Sequence, residues 1–233
     1  MGEFAFGQPV RRKEDPRLLT GAGTFIEDRR LDRQAHAVLL RSPHAHARII
    51  AMDPAEAAAM PGVLGIVTGA DLARDGIGGI PCDYDPPIFG TGAGLTTPVV
   101  RPPFPALARD RVRYVGEGVA LVVAETVAQA KDAAERIAVE YEILPAIAET
   151  AAANAPDAPL VWGEAPGNVA FVWEAGDRKK TDAAFAAASR VVSVELANNR
   201  VVLAALETRG AIGAYDEASG RYTLHAATQM PHG

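Results

Sequence analysis

Residues 118–144 read GVALVVAETVAQAKDAAERIAVEYEIL, and this stretch predicts the central elements of the fold. Its apolar start, Val119–Val123, predicts a central strand. Thr126 can cap a helix and Gln129 lies three residues later, so the pair predicts a capping box for a helix that extends to residue 137. That helix would carry four apolar residues on one face: Val127, Ala130, Ala134 and Ile137. Residues 139–144 alternate apolar and acidic side chains, which predicts a half-buried strand.

The sequence before this stretch predicts three more strands. Residues 36–41 and 46–51 are short apolar runs, and Ser42-Pro43 between them suits a bend. Residues 63–67 are apolar and β-branched enough for a buried strand, and residues 69–72 predict a brief helical turn after it.

A short helix is predicted between the second and third of these strands. Asp53 offers its N-cap, Pro54 suits the first helical position, and Glu56 is placed to complete a capping box. Pro61-Gly62 would end the helix.

Two long stretches predict irregular structure. Residues 75–105 are dominated by glycine and proline and predict a long loop, whereas residues 146–169 are rich in alanine and proline and predict a strap. Gly90–Gly94 invites comparison with a phosphate-binding loop. Leu95 stands where a dinucleotide fingerprint needs its third glycine, and no lysine follows, so we expect a plain loop.

The C-terminal part changes character. Residues 183–189 predict a short helix, followed by four strands at 191–195, 201–206, 211–215 and 222–227, with turn residues 216–220 between the last two. The predicted fold class is α+β: an α/β module followed by the β-rich start of a larger domain.

Charge and cysteine content exclude several classes of function. The net charge of −6 arises from 29 acidic and 23 basic residues without a basic run, so nucleic acid is not an expected partner. No apolar stretch suits a signal sequence or a membrane span, and we expect a cytoplasmic location. Cys82 is the only cysteine, which excludes an internal disulfide and a four-cysteine metal site. Neighbouring carboxylates oppose its thiolate, so it is interpreted as an ordinary loop residue.

Six short motifs together resemble the N-terminal part of the large subunit of molybdenum hydroxylases, the xanthine dehydrogenase/aldehyde oxidase family. The aerobic carbon-monoxide-dehydrogenase-type branch is the nearest likeness. The motifs are Arg12–Gly21, Arg41–Ile49, Arg113–Glu117, Asn198–Arg200, Glu207–Gly210 and Thr228–His232. The resemblance extends from about Val10 to His232 and so covers nearly the whole chain.

The resemblance implies an N-terminal arm (1–19), an α/β hammerhead domain (20–147), a linker strap (148–170) and the truncated start of a molybdenum-cofactor-binding domain (171–233). It implies a molybdenum–molybdopterin cofactor, which this chain alone is not expected to hold. The implied reaction oxidises carbon monoxide, an aldehyde or an N-heterocycle with water as the oxygen source. The implied partners are iron–sulfur and FAD subunits and the remainder of the large subunit, without which the chain is expected to be inactive.

Three residues are candidates for the cofactor side of the molecule. The family's Thr-Gln pair is similar to Thr228-Gln229, and its glutamine lies beside the oxo group of molybdenum, where an amide can donate a hydrogen bond without ligating the metal. Without the resemblance, a polar residue that ends a strand is the simpler interpretation of Gln229. Glu207 and Arg209 match the family's Glu-x-Arg pair, for which we expect a buried ion pair, with substrate contact as the alternative. No catalytic residue is predicted.

Three further polar residues have a chemical and a structural interpretation. His44 and His46 would point to one face if they lay on a strand, but a metal site would need more ligands. We favour a structural role in which the histidines bond to backbone. Glu117 is either a strained catalytic carboxylate or one that ties down a turn, and the second is favoured.

Three hypotheses for the function therefore remain. The first is an enzyme component whose catalytic remainder lies elsewhere. The second is a non-catalytic assembly module that docks onto partner subunits of such an enzyme. The third, less favoured, is a free-standing small-molecule or metal-binding domain.

Overall fold

The computed structural model describes residues 11–82, 94–198 and 204–228. The chain divides into two compact units. Residues 35–193 form one unit, and residues 1–34 together with 194–233 form the other. No pattern in the sequence indicates that the first residues of the chain belong with the last. No helix in the described ranges is both long and apolar enough to cross a membrane.

The larger unit contains most of the regular structure. Its α-helices are α2 (Ala55–Ala58), α3 (Gly69–Arg74), α4 (Val127–Ala134) and α5 (Arg178–Ala187), and α1 (Asp15–Leu19) belongs to the smaller unit. Its strands are β1 (His36–Arg41), β2 (Ala47–Asp53), β3 (Val63–Thr68), β4 (Gly94–Leu95), β5 (Arg111–Val112), β6 (Gly118–Ala124), β7 (Ala138–Ile143) and β8 (Trp173–Glu174). The smaller unit adds β9 (Ala211–Asp216) and β10 (Arg221–Ala226). Short 3₁₀ turns cover Ile26–Asp28, Thr150–Ala152 and Pro166–Asn168.

Strand β6 lies at the centre of an antiparallel sheet, between β1 and β3. This arrangement confirms the central strand predicted at Val119–Val123. Alternate residues Ala120, Val122 and Ala124 are fully buried and pack against α4. The helix presents Ala130, Ala133 and Ala134 to this sheet. Small side chains on both elements let the helix lie close to the strand, which favours dense packing.

A second antiparallel sheet has the order β5-β2-β7. The predicted strands at 36–41, 46–51, 63–67 and 139–144 are therefore present as β1, β2, β3 and β7. Val119 of β6 joins Ala47, Ala108 and Val112 in a second buried cluster.

The predicted capping boxes form only in part. At α4, Thr126 Oγ1 accepts the Gln129 amide at 3.2 Å, but the Gln129 side-chain oxygen accepts the Thr126 hydroxyl at 2.8 Å instead of the Thr126 amide. At α2, Asp53 accepts the Ala55 amide at 2.9 Å, whereas Glu56 forms an exposed ion pair with a later residue. The correct spacing therefore does not ensure that the side chain three residues after the N-cap accepts the N-cap amide.

A complete capping box occurs where none was predicted, at the start of α3. Thr68 Oγ1 accepts the Asp71 amide at 3.3 Å, and Asp71 Oδ2 accepts the Thr68 amide at 2.8 Å. The Thr68 hydroxyl also donates to Asp71, and this hydrogen bond is the main cause of the lowered pKa of that carboxyl.

Two helix boundaries differ from the prediction. Helix α4 ends at Ala134, and Val127 at its first position is 44% exposed, although Ile137 is buried as expected. Helix α5 begins at Arg178, five residues before the predicted start, because Asp177 accepts the Lys180 amide at 3.0 Å.

Of the four strands predicted in the C-terminal part, the first two have a different outcome from the last two. Residues 191–195 form no strand, and Val192 and Val194 are 69% and 71% exposed. Within 201–206, residues 204–206 are irregular and the others lie outside the described residues. An apolar run becomes a strand only where another strand pairs with it. The predicted hairpin at 211–227 is present as β9 and β10.

Specific contacts hold the strap and the end of the long loop against other parts of the larger unit. The Arg113 guanidinium lies 3.4 Å from the centre of the Trp162 ring, and its Nε donates to the Val161 carbonyl at 3.2 Å. Asn168 accepts the Val161 amide at 2.8 Å and donates to two carbonyls, with φ at 57°. Strand β4 pairs with β8, so the residues after 93 are not plain loop. The glycine-rich segment 90–93 lies outside the described residues.

We expect Arg113→Ala to release the strap, because it removes a stacked cation and a backbone hydrogen bond together. Thermolysin should cleave within 148–170 about fivefold faster than in the unaltered chain, the effect of roughly 1 kcal/mol of lost cation–π stabilisation. Arg136→Ala, which removes an exposed ion pair with Glu56, is the matched control. Equal cleavage rates in both variants would contradict the attachment.

Thr126→Ala is expected to lower the free energy of unfolding by about 1 kcal/mol, because the Gln129 amide loses its acceptor. Thr126→Ser keeps the hydroxyl and should restore most of the loss. Urea unfolding followed by circular dichroism measures both. Serine and alanine variants of identical stability would show that the cap contributes nothing.

Candidate functional site

An open pocket of about 460 Å³ lies within the smaller unit. Its walls come from two segments that are nearly 200 positions apart in sequence. The lining residues are Thr24, Phe25, Ile26, Arg29, Glu207, Ala226, Ala227 and Thr228. The last of these directly precede Gln229, so the pocket lies where the family resemblance expects the cofactor side of the chain.

The N-terminal wall is a single 3₁₀ turn, Ile26–Asp28. Two carboxylates accept the backbone amides at the start of this turn. Asp28, within the turn, accepts the Phe25 amide at 2.8 Å. Glu207, distant in sequence, accepts the Ile26 amide through Oε1 at 3.1 Å. That amide begins the turn and has no partner within it, so the carboxylate supplies the acceptor that the turn lacks.

Two more side-chain contacts join the same segments. Thr208 Oγ1 donates to Glu27 at 3.0 Å, next to the Glu207 contact. Arg29 Nη1 lies 3.4 Å from Nδ1 of His225 on β10. Because an arginine can only donate, this contact is a hydrogen bond when Nδ1 of His225 is the acceptor.

The C-terminal wall continues from the hairpin. The Ala227 amide donates to the Gly210 carbonyl at 3.2 Å, which extends the pairing beyond β10. A Cβ at position 210 would lie 3.2 Å from the Ile26 side chain, so glycine allows the two walls to approach. Ile212, one of the few buried residues of this unit, lies on the neighbouring strand β9.

The expected ion pair between Glu207 and Arg209 is not observed. Among the described ion pairs none joins these two residues, and Arg209 is exposed. Glu207 is half-buried and bonds to the Ile26 amide instead. Residues two positions apart in an extended segment share a face, which favours an ion pair between Glu207 and Arg209. The Glu207 carboxylate instead accepts the backbone amide of Ile26.

Gln229 lies outside the described residues, and its role stays a prediction. Around the neighbouring Thr228, the described lining offers one guanidinium, two threonine hydroxyls and a carboxylate that already accepts an amide. This donor set fits the polar edge of a bound group such as a pterin. It cannot enclose such a group, because the pocket is open on one side. The arrangement can donate and accept hydrogen bonds, but it contains no base with an orienting partner.

The histidines predicted to be structural lie in the other unit, in the bend between β1 and β2. His46 is 8% exposed, and its Nδ1 contacts the Pro145 carbonyl at 2.7 Å. His44 packs edge-on against Tyr141, with the ring centres 4.9 Å apart. Burial raises the pKa of Tyr141, which therefore stays neutral over the physiological range. No group of three metal-ligating side chains occurs in the part of the chain that the structure describes.

Glu117 ties down a turn, as expected. It is buried, its Oε2 accepts the Arg113 amide at 2.5 Å, and its own amide donates to the Tyr114 carbonyl at 3.2 Å. Gly116 within this turn has φ at 89°, a conformation that favours glycine. Burial lowers the pKa of Arg113, although Asp110 and Glu117 act in the opposite direction. Cys82 is exposed and free.

Sequence reasoning did not find Arg29 or the rest of the N-terminal wall. The 3₁₀ turn is too short to produce a periodic pattern, and the partner residues follow about 180 positions later. The family motifs at Glu207–Gly210 and Thr228–His232 pointed to the other side of this pocket.

Two domain families match successive parts of this chain. Residues 20–145, more than half of the chain, match the a/b hammerhead domain of aldehyde oxidase and xanthine dehydrogenase. Residues 161–233 match the molybdopterin cofactor-binding domain. The chain is similar to the nicotine 6-hydroxylase large subunit of Paenarthrobacter nicotinovorans, with 40% identity over 97% of this chain and 26% of that protein.

Two solved structures are also similar. Quinoline 2-oxidoreductase from Pseudomonas putida 86 has a TM-score of 0.75 and 38% identity, over 95% of this chain and 27% of that one. Cu,Mo-CO dehydrogenase has a TM-score of 0.80 and 34% identity, over 97% of this chain and 28% of that one. The chain thus spans about a quarter of the length of these relatives. It belongs to the xanthine dehydrogenase/aldehyde oxidase family of molybdenum hydroxylases, whose cofactor is molybdenum–molybdopterin.

Proposed function

We propose that this chain forms the N-terminal part of a molybdenum hydroxylase large subunit and builds one wall of its cofactor site. The pocket bounded by the N-terminal turn and by Ala226–Thr228 carries this proposal, because it places polar groups beside the position that precedes Gln229. The family match over residues 161–233 supports the same assignment.

Within this wall, each described residue has a binding role and none a catalytic one. Arg29 offers positive charge to a polar or anionic edge, and Thr24 and Thr228 offer hydroxyls. Gln229 would donate its side-chain amide without adding charge. When bound, the cofactor supplies the oxidation, with water as the source of oxygen. The base and the remaining cofactor contacts must come from outside these residues.

An aromatic N-heterocycle is the substrate class that we favour. Support comes from higher identity to the nicotine and quinoline enzymes, at 40% and 38%, than to CO dehydrogenase, at 34%. Carbon monoxide is the alternative. Iron–sulfur and FAD subunits would accept the electrons, as the family resemblance implies.

Exposed apolar side chains bear on both the assembly-module and the enzyme-component hypotheses. Residues 191–196 form neither helix nor strand, and their apolar side chains Val191, Val192, Val194 and Leu196 are all more than half exposed. Tyr215, Tyr222 and Leu224 are also exposed on one face of the β9–β10 hairpin. Apolar surface of this extent is typical of a segment that another part of an assembly covers. Such covering is compatible with either hypothesis.

The purified chain of residues 1–233 is expected to contain less than about one molybdenum per ten chains when made in a host that synthesises the cofactor. The few hydrogen bonds of one open wall, each contributing about 1 kcal/mol, cannot retain a pterin. Elemental analysis measures this. Near-stoichiometric molybdenum would show that the chain forms a complete site and that the one-wall proposal is wrong.

The gene sequence beyond the codon for Gly233 provides the next test. A continuation that encodes glycine-rich cofactor motifs supports the enzyme component, and its absence together with unrelated sequence supports the assembly module. The full product of such a continuation should oxidise nicotine- or quinoline-like heterocycles with an artificial electron acceptor. Oxidation of carbon monoxide alone would contradict the favoured substrate class.

In that full product, Gln229→Ala is expected to lower kcat at least about tenfold with molybdenum content little changed, because one hydrogen bond to the cofactor is lost while the other contacts remain. Arg190→Ala, at an exposed residue that does not line the pocket, is the control. Unchanged kcat in the Gln229 variant would remove this residue from the site.

A further inference from the structure

We propose that Glu207 is a positioning residue: it caps the N-terminal 3₁₀ turn Ile26–Asp28 and thereby holds Thr24–Arg29 as the wall opposite Ala226–Thr228. This role replaces the expected ion pair with Arg209. Its relevance to catalysis rests on the proposed function, since the wall matters to chemistry only if the pocket faces the cofactor.

The capping bond is the first step of the argument. Glu207 Oε1 lies 3.1 Å from the Ile26 amide, which opens the turn and has no acceptor inside it. A carboxylate at the start of a helical turn is stabilised by the peptide dipoles as well as by the hydrogen bond. A residue 181 positions away therefore does what a local N-cap does elsewhere.

A neighbouring contact shows that two consecutive residues of the turn each bond to one of two consecutive residues in the C-terminal segment. Ile26 and Glu27 contact Glu207 and Thr208 respectively, at 3.1 and 3.0 Å. The match fixes both position and direction of the turn, which a single hydrogen bond could not do.

Gly210 supplies an independent observation. An added Cβ there would approach the Ile26 Cγ2 atom to 3.2 Å, closer than most real contacts of this kind. The Gly210 carbonyl meanwhile accepts the Ala227 amide at 3.2 Å. Ile26, the residue whose amide Glu207 caps, thus packs on the segment that pairs with the opposite wall. Displacement of the turn should be felt at Thr228.

Nuclear magnetic resonance on the full chain tests the proposal without molybdenum. Glu207→Ala should speed hydrogen exchange of the Ile26 amide at least about tenfold, since a hydrogen bond to a charged group is lost. It should also shift the Thr228 amide resonance. Glu207→Gln keeps an acceptor oxygen and should hold the Ile26 exchange rate within about threefold of the original. Glu217→Ala, which removes a carboxylate from the exposed turn between β9 and β10, is the matched control and should change neither signal.

Gly210→Ala provides a second route to the same result. It leaves the carboxylate in place but pushes on the Ile26 side chain, so the Thr228 resonance should shift while the fold is retained.

Two outcomes would overturn the positioning role. One is unchanged Ile26 exchange in Glu207→Ala, which would show that the carboxylate does not cap the turn. The other is faster Ile26 exchange with no shift at Thr228, which would show a cap without influence on the opposite wall. Neither outcome bears on molybdenum content, so failure here is distinguishable from failure of the proposed function.

Discussion

The packing of an alanine-rich helix on a buried strand organises the larger unit. Ala130, Ala133 and Ala134 of α4 lie against Ala120 and Val122 of β6. Because these side chains are small, the helix can lie close to the sheet, and any larger residue would separate the layers. The strand is held on both sides by antiparallel neighbours β1 and β3, so its backbone groups are satisfied where water cannot reach them.

The smaller unit is held together differently, by contacts between an N-terminal and a C-terminal segment of the chain. It has little buried apolar surface, and Ile212, at 8% exposure, is its one buried apolar side chain among the described residues. Glu207 accepts the Ile26 amide and Thr208 donates to Glu27, and these hydrogen bonds, rather than a deep core, join the first and last described segments of this unit. A wall built in this way can be shaped by few residues, which suits one side of a cofactor site.

Prediction from sequence succeeded where the signal was local or repeated. The strands at 36–41 and 118–124 and the 211–226 hairpin have periodic or turn-bounded patterns, and each is present. Prediction failed where two acceptors or donors compete. Gln129 and Glu56 have the spacing of capping boxes, yet each bonds elsewhere. Glu207 and Arg209 have the spacing of an ion pair, yet the carboxylate bonds to an amide that is 181 positions away. The strand predicted at 191–195 has apolar residues but no partner among the described strands.

The sequence by itself determined the fold class, the central strand and its helix, and the family, because apolar periodicity and short motifs are written in consecutive residues. The family motifs also predict that Thr228-Gln229 and Glu207 lie on the cofactor side. Only the tertiary structure decided that the N-terminal turn and Arg29 form the facing wall, and that Glu207 caps this turn. The physical reason is that a hydrogen-bond acceptor takes the donor that folding brings nearest, and sequence spacing does not record distances across the chain.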